Sequence, residues 1–177
     1  LKKNERAILR CNYNMMSFSG SGERVRPGAS RRSKEIALIT EKALISILDL
    51  SEFPGGVVDV FVELLQTDAG TRCAGITAAA LALADAGFPM KDMVAAVAVG
   101  VIDNKIVVDV DKYEEDYEGG MADIPIAMKP RTGEITLLQM DGYASKDQLK
   151  DVINAAKKAI TQINKVQLEA LKARYKK

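Results

Sequence analysis

The sequence contains no histidine and no tryptophan. Without histidine the chain cannot form a Ser-His-Asp or Cys-His catalytic group, a zinc site with histidine ligands or a histidine general base. Any chemistry therefore depends on carboxylates, arginines, hydroxyl groups and backbone amides, with or without a bound metal ion. The two cysteines, Cys11 and Cys73, are too few for a disulfide framework, which predicts a reduced, cytoplasmic protein.

Long hydrophobic runs and an excess of one charge are also missing. No apolar run approaches the roughly 20 residues that a membrane-spanning helix needs, so we predict no membrane partner. The 25 basic and 24 acidic residues leave a net charge of +1, so that binding of a nucleic acid would need a local basic cluster. With 177 residues, 47% of them hydrophobic, the chain is predicted to form a single α+β domain over residues 1–177.

Hydrophobic periodicity predicts three helices among short strands. The helices cover residues 31–49, with Ser30 as N-cap, residues 71–86, and a long segment that starts after a capping box at Ser145. The small residues of the second helix predict that it is buried against a sheet. A charged loop is predicted over residues 111–122. The predicted strands cover residues 7–13, 57–66, 94–102, 105–110, 123–128 and 134–140.

A strand, a tight polar loop and a helix meet at residues 68–72, which read Asp-Ala-Gly-Thr-Arg. The first turn of a helix leaves unpaired N–H groups and the positive end of the dipole facing such a loop. Gly70 allows the backbone to come close to an oxyanion, Thr71 can donate a hydrogen bond, and Arg72 can bind phosphate through two bonds. The segment predicts an anion site, although most junctions of this kind are purely structural.

A basic cluster lies just upstream of the first helix and in its first turn. Two of its arginines, Arg31 and Arg32, occupy the helix N-terminus, where the dipole disfavours a cation. This position indicates an anionic ligand, although a solvated loop and helix start explain the cluster equally well. The cluster consists of Arg24, Arg26, Arg31, Arg32 and Lys34.

An acidic stretch precedes the strand predicted at residues 123–128. Most of its carboxylates are expected to be solvated, but Asp123 stands at the start of an apolar strand, where burial is expected. A pair of carboxylates there could hold Mg²⁺ against a phosphate ester or act as general acid. The stretch contains Asp109, Asp111, Glu114, Glu115, Asp116, Glu118 and Asp123.

Taken in order, these segments resemble the RNase PH family of phosphorolytic 3′→5′ exoribonucleases, and within it the catalytic RNase PH-like subunits of archaeal exosomes. The resemblance extends over essentially the whole chain. It implies an RNase PH-like fold, also described as ribosomal protein S5 domain 2-like, with mixed sheets packed against helices. The segments that carry it are residues 10–15, 27–33, 57–61, 65–72, 83–92, 122–128 and 137–142.

The family fold has further N-terminal strands, which this sequence, starting at Leu1 rather than at Met, is expected to lack. The resemblance implies inorganic phosphate as co-substrate and single-stranded RNA as substrate, cut at its 3′ end to release nucleoside diphosphates. Excess nucleoside diphosphate would drive the reverse reaction, which adds tails.

The resemblance also assigns roles to individual residues. Gly70, Thr71 and Arg72 would form the phosphate loop, and Arg32 would be a second arginine on the phosphate. Arg31, together with Arg32, would contact the RNA backbone.

Two carboxylates complete the implied active site as catalytic groups and as ligands of Mg²⁺ or Mn²⁺. Asp123 matches one active-site aspartate of the family, and Asp116 is predicted to be the other. Asp116 lies seven residues before Asp123, one more than the family pattern leads us to expect. Either the loop at residues 119–120 absorbs the extra residue, or Glu115 takes the place of Asp116.

Three functional hypotheses follow. The first is the catalytic exosome subunit in a hetero-hexameric ring with a non-catalytic RNase PH-like paralogue, covered by RNA-binding cap subunits of the S1 or KH type. The second is a bacterial-type RNase PH that trims tRNA 3′ ends and assembles alone. The third is a non-catalytic ring scaffold that binds RNA, which the joint presence of Arg32, Thr71, Arg72 and Asp123 disfavours.

Overall fold

A computed structural model of the chain describes residues 5–22, 24–26 and 28–176. These ranges contain six strands and four α-helices, and a short 3-10 turn, Leu50–Glu52, precedes the second strand. The elements are β1 (Ile8–Met15), α1 (Arg31–Ile45), β2 (Val57–Leu64), α2 (Thr71–Asp85), β3 (Ala95–Ile102), β4 (Lys105–Val108), α3 (Lys112–Glu115), β5 (Met121–Met128), β6 (Ile135–Leu138) and α4 (Lys146–Tyr175).

The described residues form four layers. Strands β1 and β2 make a parallel pair, and β4, β3, β5 and β6 make an antiparallel sheet in that order. Helices α1 and α2 lie between the two sheets, and α4 covers the opposite face of the larger one. The predicted α+β fold with mixed sheets is confirmed, and every predicted strand is found within two residues of its expected ends.

Strand β3 is buried on both faces, as its continuous apolar sequence requires. Ala96 and Ala98 belong to the core shared with α1 and α2, whereas Val97 and Val99 pack in the core beneath α4. The small residues of α2 allow close packing on its other side as well. A Cβ on Gly75 would lie 3.0 Å from a methyl carbon of Val62, so the prediction of a buried small-residue helix is confirmed.

The β1–β2 pair brings one aromatic residue under α2. The two strands are in parallel register, with Tyr13 opposite Val62, and both side chains are buried. The other face of the pair is exposed and mixes polar with apolar side chains, among them Phe61, and Arg10 there donates two hydrogen bonds of 2.7 Å to the carboxylate of Asp59. Alternation along the strands therefore fixes Tyr13 on the side of the core and of the α2 N-terminus.

Helix α1 starts at its predicted N-cap, Ser30, which forms a capping box with Ser33. It ends at Ile45, and the prediction that it continues to residue 49 is wrong. The chain after it is held elsewhere, because Leu48 forms a β-bridge with Met90 and the Asp49 side chain caps the short 3-10 turn. Local capping and a distant bridge outweigh the helical periodicity of the sequence here.

The predicted charged loop, residues 111–122, contains one helical turn, α3, and the first residues of β5. Asp111 and Glu114 form a capping box, each side chain accepting a hydrogen bond from the other residue's backbone N–H. This Asp-x-x-Glu pattern is a helix-start signal that the prediction of a loop overlooked. Strand β5 begins at Met121 because it pairs with Ile102 of β3.

Helix α4 starts at the predicted capping box of Ser145 and Gln148. Its buried stripe, Val152, Ala156 and Ile160, repeats every four residues against the larger sheet. Although α4 has 30 residues, no helix in the described part of the chain is both long and apolar enough to cross a membrane.

Candidate active site

The predicted phosphate loop, Gly70, Thr71 and Arg72, lies at the junction of β2 and α2. Gly70 is the N-cap of α2 in the left-handed conformation, with φ of 54°, and Ala69 before it has φ of 45°. No side chain among the described residues caps this helix. The N–H groups of its first turn therefore face the loop unpaired by side chains, which is the arrangement that binds anions at a helix start.

Thr71 is held in place by Tyr13. The Tyr13 hydroxyl and Thr71 Oγ1 share a hydrogen bond of 2.7 Å, and only 6% of the Tyr13 surface is exposed. Burial raises the pKa of Tyr13, against the lowering effects of its hydrogen bond to Thr71 and of the charges of Arg32 and Arg72. The phenol therefore stays protonated, and its hydroxyl fixes the Thr71 hydroxyl beside two arginines.

Arg72 is held from the opposite side of the site. Its Nη1 donates a hydrogen bond of 2.5 Å to Oε1 of Gln139, just beyond β6. Gln139 Nε2 in turn donates to Oε1 of Glu35 on α1, at 3.4 Å. These two hydrogen bonds thus link the start of α2, the segment after β6 and helix α1.

Both arginines at the start of α1 are exposed. The positive charge of Arg32 lowers the pKa of both Tyr13 and Asp123, whereas Arg31 is not among the charges that shift either pKa. Pro27, the first residue of the segment 27–33 that carries the family resemblance, lies outside the described residues.

Asp123 is half-buried on β5, paired with Gly100 of β3. Its pKa is raised, first by burial, then by the negative charges of Glu115 and Asp141, while Arg72 and Arg32 act in the opposite direction. Asp123 and Asp141 are also joined through their backbones, by N–H···O bonds of 2.8 and 2.9 Å. The charges of Arg72, Arg32, Glu115 and Asp141 therefore all act on Asp123.

Helix α3 is tied to the phosphate loop, because the Lys112 backbone N–H donates to Oδ1 of Asp68 at 3.0 Å. Asp116 points to solvent, with 63% of its side chain exposed, and forms an ion pair of 2.6 Å with Lys112. Glu115 is less exposed, at 35%, and it is the one whose charge raises the pKa of Asp123. The catalytic role of Asp116 stays a prediction, and the lower exposure of Glu115 together with its effect on Asp123 favours Glu115 as the partner.

The carboxylates suit a cation that is shared with substrate. Among the described residues, no three His, Cys, Asp or Glu side chains are grouped closely enough to hold a metal ion. Mg²⁺ commonly uses one or two carboxylates and completes its coordination with water and substrate phosphate. Asp123, crowded by the negative charges of Glu115 and Asp141, fits that kind of site, and a cation there would relieve the repulsion.

Two family models match the chain. One, described as "3′ exoribonuclease family, domain 1", matches residues 2–89, and the other, described as domain 2 of the same family, matches residues 92–159. The chain belongs to the RNase PH family of 3′ exoribonucleases. The boundary between the two matched regions falls after α2, so that the first contains the phosphate loop and the second contains the carboxylates.

Archaeal relatives of this RNase PH-family chain are similar over its full length. It is 52% identical to the exosome complex component Rrp41 of Thermococcus kodakarensis over 177 residues, which are 100% of this chain and 70% of the relative. The exosome complex component Rrp41 of Thermoplasma acidophilum is 46% identical over 172 residues, 97% of this chain and 68% of the relative.

Solved structures show the same fold at low sequence identity. A crystal structure of rice Rrp46 superposes with a TM-score of 0.81 at 20% identity, covering 94% of this chain and 74% of the rice chain. A structure described as the Archaeoglobus fulgidus exosome with RNA bound to the active site gives a TM-score of 0.73 at 17% identity, covering 92% and 72%. Both support the RNase PH-like fold predicted from the sequence.

Sequence reasoning missed three residues that contact the predicted site. Tyr13 was visible only as part of a strand, and both Tyr13 and Gln139 lay in segments that resemble the family but were given no role. A buried tyrosine requires a partner for its hydroxyl, and this was the one available signal for Tyr13. Glu35 carried none, since its contact lies 104 positions away.

The cysteine beside Arg72 takes no part in the chemistry. Cys73 is buried, and burial, followed by the negative charge of Asp123, raises its pKa to about 12. A thiol with this pKa stays protonated near neutral pH and is a poor nucleophile. The chemistry of the site is therefore left to arginines, hydroxyl groups and carboxylates.

Proposed function

We propose that the chain is the catalytic subunit of a ring-shaped exosome that degrades single-stranded RNA from its 3′ end with inorganic phosphate. One observation carries the proposal. Thr71 and Arg72 stand at an uncapped helix N-terminus, and the charges of Arg72 and Arg32 both act on the half-buried Asp123. Because the chain belongs to a family of 3′ exoribonucleases, phosphate is the anion that we expect at this site. Thr71, Arg72, Arg32 and Asp123 together supply the donors, charges and carboxylate that a phosphorolytic reaction needs.

Phosphate binding uses the positive end of the α2 dipole together with side-chain donors. The N–H groups of the first turn and the Thr71 hydroxyl donate to phosphate oxygens, and Arg72 and Arg32 balance the charge. Because Tyr13 fixes Thr71 and Gln139 fixes Arg72, the donors are oriented before phosphate arrives. Such preorganised donors lower the barrier more than mobile ones do.

The bound phosphate then attacks the last phosphodiester of the RNA. One of its oxygens forms a bond to phosphorus while the bond from phosphorus to the 3′ oxygen breaks, and a nucleoside diphosphate leaves. The shortened RNA keeps the 3′ oxygen, which takes up a proton. Asp123 can donate that proton, since its raised pKa favours the protonated form.

In its ionised form, Asp123 would instead act as a metal ligand. When bound by Asp123 with Glu115 or Asp116, a Mg²⁺ or Mn²⁺ ion supplies neutralisation of the charge on the phosphate oxygens. Arg72 and Arg32 contribute the same kind of stabilisation from the other side. Most of the catalysis is therefore positioning and electrostatics, in keeping with the absence of histidine from the sequence.

The relatives support the assembly that we propose. Those of about 50% identity are exosome complex components. We expect this chain to alternate with a non-catalytic RNase PH-like paralogue in a hexameric ring, with S1- or KH-type subunits covering the RNA entrance. RNA should be recognised through its backbone and 2′-hydroxyl groups, with little base preference. In excess, nucleoside diphosphates should be added to RNA 3′ ends.

The decisive experiment uses the full-length chain, alone and mixed with its RNase PH-like paralogue. Single-stranded RNA is incubated with Mg²⁺, with and without inorganic phosphate, and the products are separated by chromatography. Nucleoside diphosphates that form only with phosphate and only in the mixture support the proposal. Nucleoside monophosphates formed without phosphate would show hydrolysis and contradict it, and full activity of the chain alone would indicate a self-assembling RNase PH instead.

Substituting phenylalanine for Tyr13 tests the anchor of Thr71. The variant Tyr13→Phe loses only the hydroxyl that holds Thr71 Oγ1 at 2.7 Å. A neutral hydrogen bond contributes about 1 kcal/mol, so the phosphate KM should rise roughly fivefold. The KM for RNA should stay within about twofold, since the hydroxyl does not belong to the predicted RNA contacts.

The stability of Tyr13→Phe serves as the internal control. Loss of the bond should lower the free energy of unfolding by about 1 kcal/mol, measured by denaturant unfolding of the assembled protein. An unchanged phosphate KM in a variant destabilised by that amount would show that Tyr13 supports the fold and not phosphate binding.

A further inference from the structure

The guanidinium of Arg72 is held by a neutral amide. Its partner within hydrogen-bond distance is Gln139 Oε1, at 2.5 Å, and both side chains are half-buried. A carboxylate in this position would bind the arginine more strongly but would also neutralise its charge. An amide oxygen fixes the direction of the guanidinium and leaves the full positive charge available to an anion.

The orientation of the Gln139 amide is itself determined. Glu35 accepts a hydrogen bond from Nε2 at 3.4 Å, and a carboxylate can accept only from the NH₂ side of an amide. The amide oxygen is therefore turned towards Arg72. Glu35 is exposed on α1, so its charge is screened by solvent and acts on Arg72 only weakly.

The backbone of Gln139 is anchored to the strand that carries Asp123. Its N–H donates to the carbonyl of Pro125 at 3.2 Å, and two residues further on Asp141 exchanges two backbone hydrogen bonds with Asp123. Gln139 therefore lies at a fixed place relative to the carboxylates. Because its side chain accepts the hydrogen bond from Arg72, Gln139 also fixes the position of the Arg72 guanidinium relative to these carboxylates.

We propose that Gln139, oriented by Glu35, is a positioning residue that aligns Arg72 for inorganic phosphate. The inference rests on the proposed phosphorolytic function and adds a residue to it. Gln139 does not touch the reacting atoms, and its effect passes through the guanidinium. Without the hydrogen bond from Gln139, Arg72 samples other rotamers. Phosphate binding must then order the long Arg72 side chain, which lowers the affinity for phosphate.

Two substitutions at Gln139 test separately the orientation of the Arg72 guanidinium and the charge that it offers to phosphate. Gln139→Met removes the acceptor but keeps an unbranched side chain of similar length. Gln139→Glu keeps the shape and the acceptor but neutralises Arg72. Both should raise the KM for inorganic phosphate about tenfold or more, the size of effect seen when groups that orient a ligand are removed. The KM for RNA should stay within about twofold in both.

The control is Asn154→Met, another amide-to-methionine substitution at an exposed position of α4, which should leave both KM values unchanged. All three variants are assayed in the assembled, full-length protein, with inorganic phosphate as the varied substrate. Gln139→Met with the phosphate KM of the control would overturn the inference. If that variant fails to fold, Glu35→Ala decides instead, since it removes the acceptor that orients the Gln139 amide, and a phosphate KM equal to that of the parent would likewise overturn the inference.

Failure of the inference is distinguishable from failure of the proposed function. If the parent protein releases nucleoside diphosphates only with phosphate, the proposed function stands, and the Gln139 variants test the inference alone. If the parent degrades RNA without phosphate, both fall together. A loss of RNA affinity and of phosphate affinity by equal factors would indicate a structural role for Gln139 and would also contradict the inference.

Discussion

Replacing Arg72 by methionine will lower phosphate-dependent release of nucleoside diphosphates by about a thousandfold. Arg72 stands in the first turn of α2, where its guanidinium and the helix N-terminus would hold the same phosphate. Removal of one preorganised donor to a transition-state oxyanion costs about 10²- to 10³-fold in rate, and Arg72 supplies a full charge as well. The rate is measured with saturating RNA and varied phosphate.

The loss will not come from unfolding. A cation at a helix N-terminus opposes the dipole, so its removal should offset part of the lost hydrogen bond to Gln139, leaving stability within about 1 kcal/mol of the parent. Arg131→Met, at an exposed position between β5 and β6, is the matched control and should retain full activity. Arg72→Met with more than about a tenth of the parent rate would contradict this assignment.

Arg72→Lys refines the same test. Lysine keeps the charge but not the planar pair of donors that suits both phosphate and Gln139. We expect an activity between that of the parent and that of Arg72→Met. A lysine variant as active as the parent would show that charge alone suffices, and would remove the reason for fixing the guanidinium in one direction.

The parts of the site that could be predicted from sequence are those formed by neighbouring residues. Gly70, Thr71 and Arg72 are consecutive, and the change from strand to helix period on either side of them places a helix N-terminus at the loop. The same holds for the N-cap of α1 at Ser30 and the capping box of α4, where the signal lies within a few residues. A local signal was also present in the capping box of α3, but the charged sequence around it favoured a loop.

The long-range contacts of the site had no comparable signal. Thr71 meets Tyr13 across 58 positions and Arg72 meets Gln139 across 67, and a single sequence gives no information on such pairs. The choice of the second carboxylate stayed open for a different reason. Successive residues on a helix point about 100° apart, so the choice between Glu115 and Asp116 depended on α3, a turn that was predicted to be a loop.

Asp123→Asn should lower phosphorolysis by about 10²- to 10⁴-fold, the contribution typical of a general acid or base. Asparagine has the shape of the aspartate but cannot donate a proton as an acid or neutralise a cation. The half-buried position on β5 and the backbone bonds to Asp141 are retained, so the substitution changes the chemistry and little else. Release of nucleoside diphosphates at saturating phosphate is the measurement.

The stability of Asp123→Asn should move in the opposite direction from its activity. Because the folded state raises the pKa of Asp123, mainly by burial and by Glu115, the ionised aspartate costs folding free energy at neutral pH. The variant should therefore unfold at higher denaturant concentration than the parent near pH 7. This advantage should shrink as the pH falls through the raised pKa, because the parent aspartate then becomes neutral as well.

The second carboxylate is decided by a matched pair, Glu115→Gln and Asp116→Asn. Lys112 pairs with both carboxylates, at 3.4 Å with Glu115 and at 2.6 Å with the more exposed Asp116, but only Glu115 acts on Asp123 electrostatically. Glu115→Gln should therefore cost about tenfold or more in rate and Asp116→Asn less than about twofold. The Mg²⁺ concentration for half-maximal activity should rise in Glu115→Gln only. The reverse pattern would return the role to Asp116 and would require α3 to turn when RNA and metal bind.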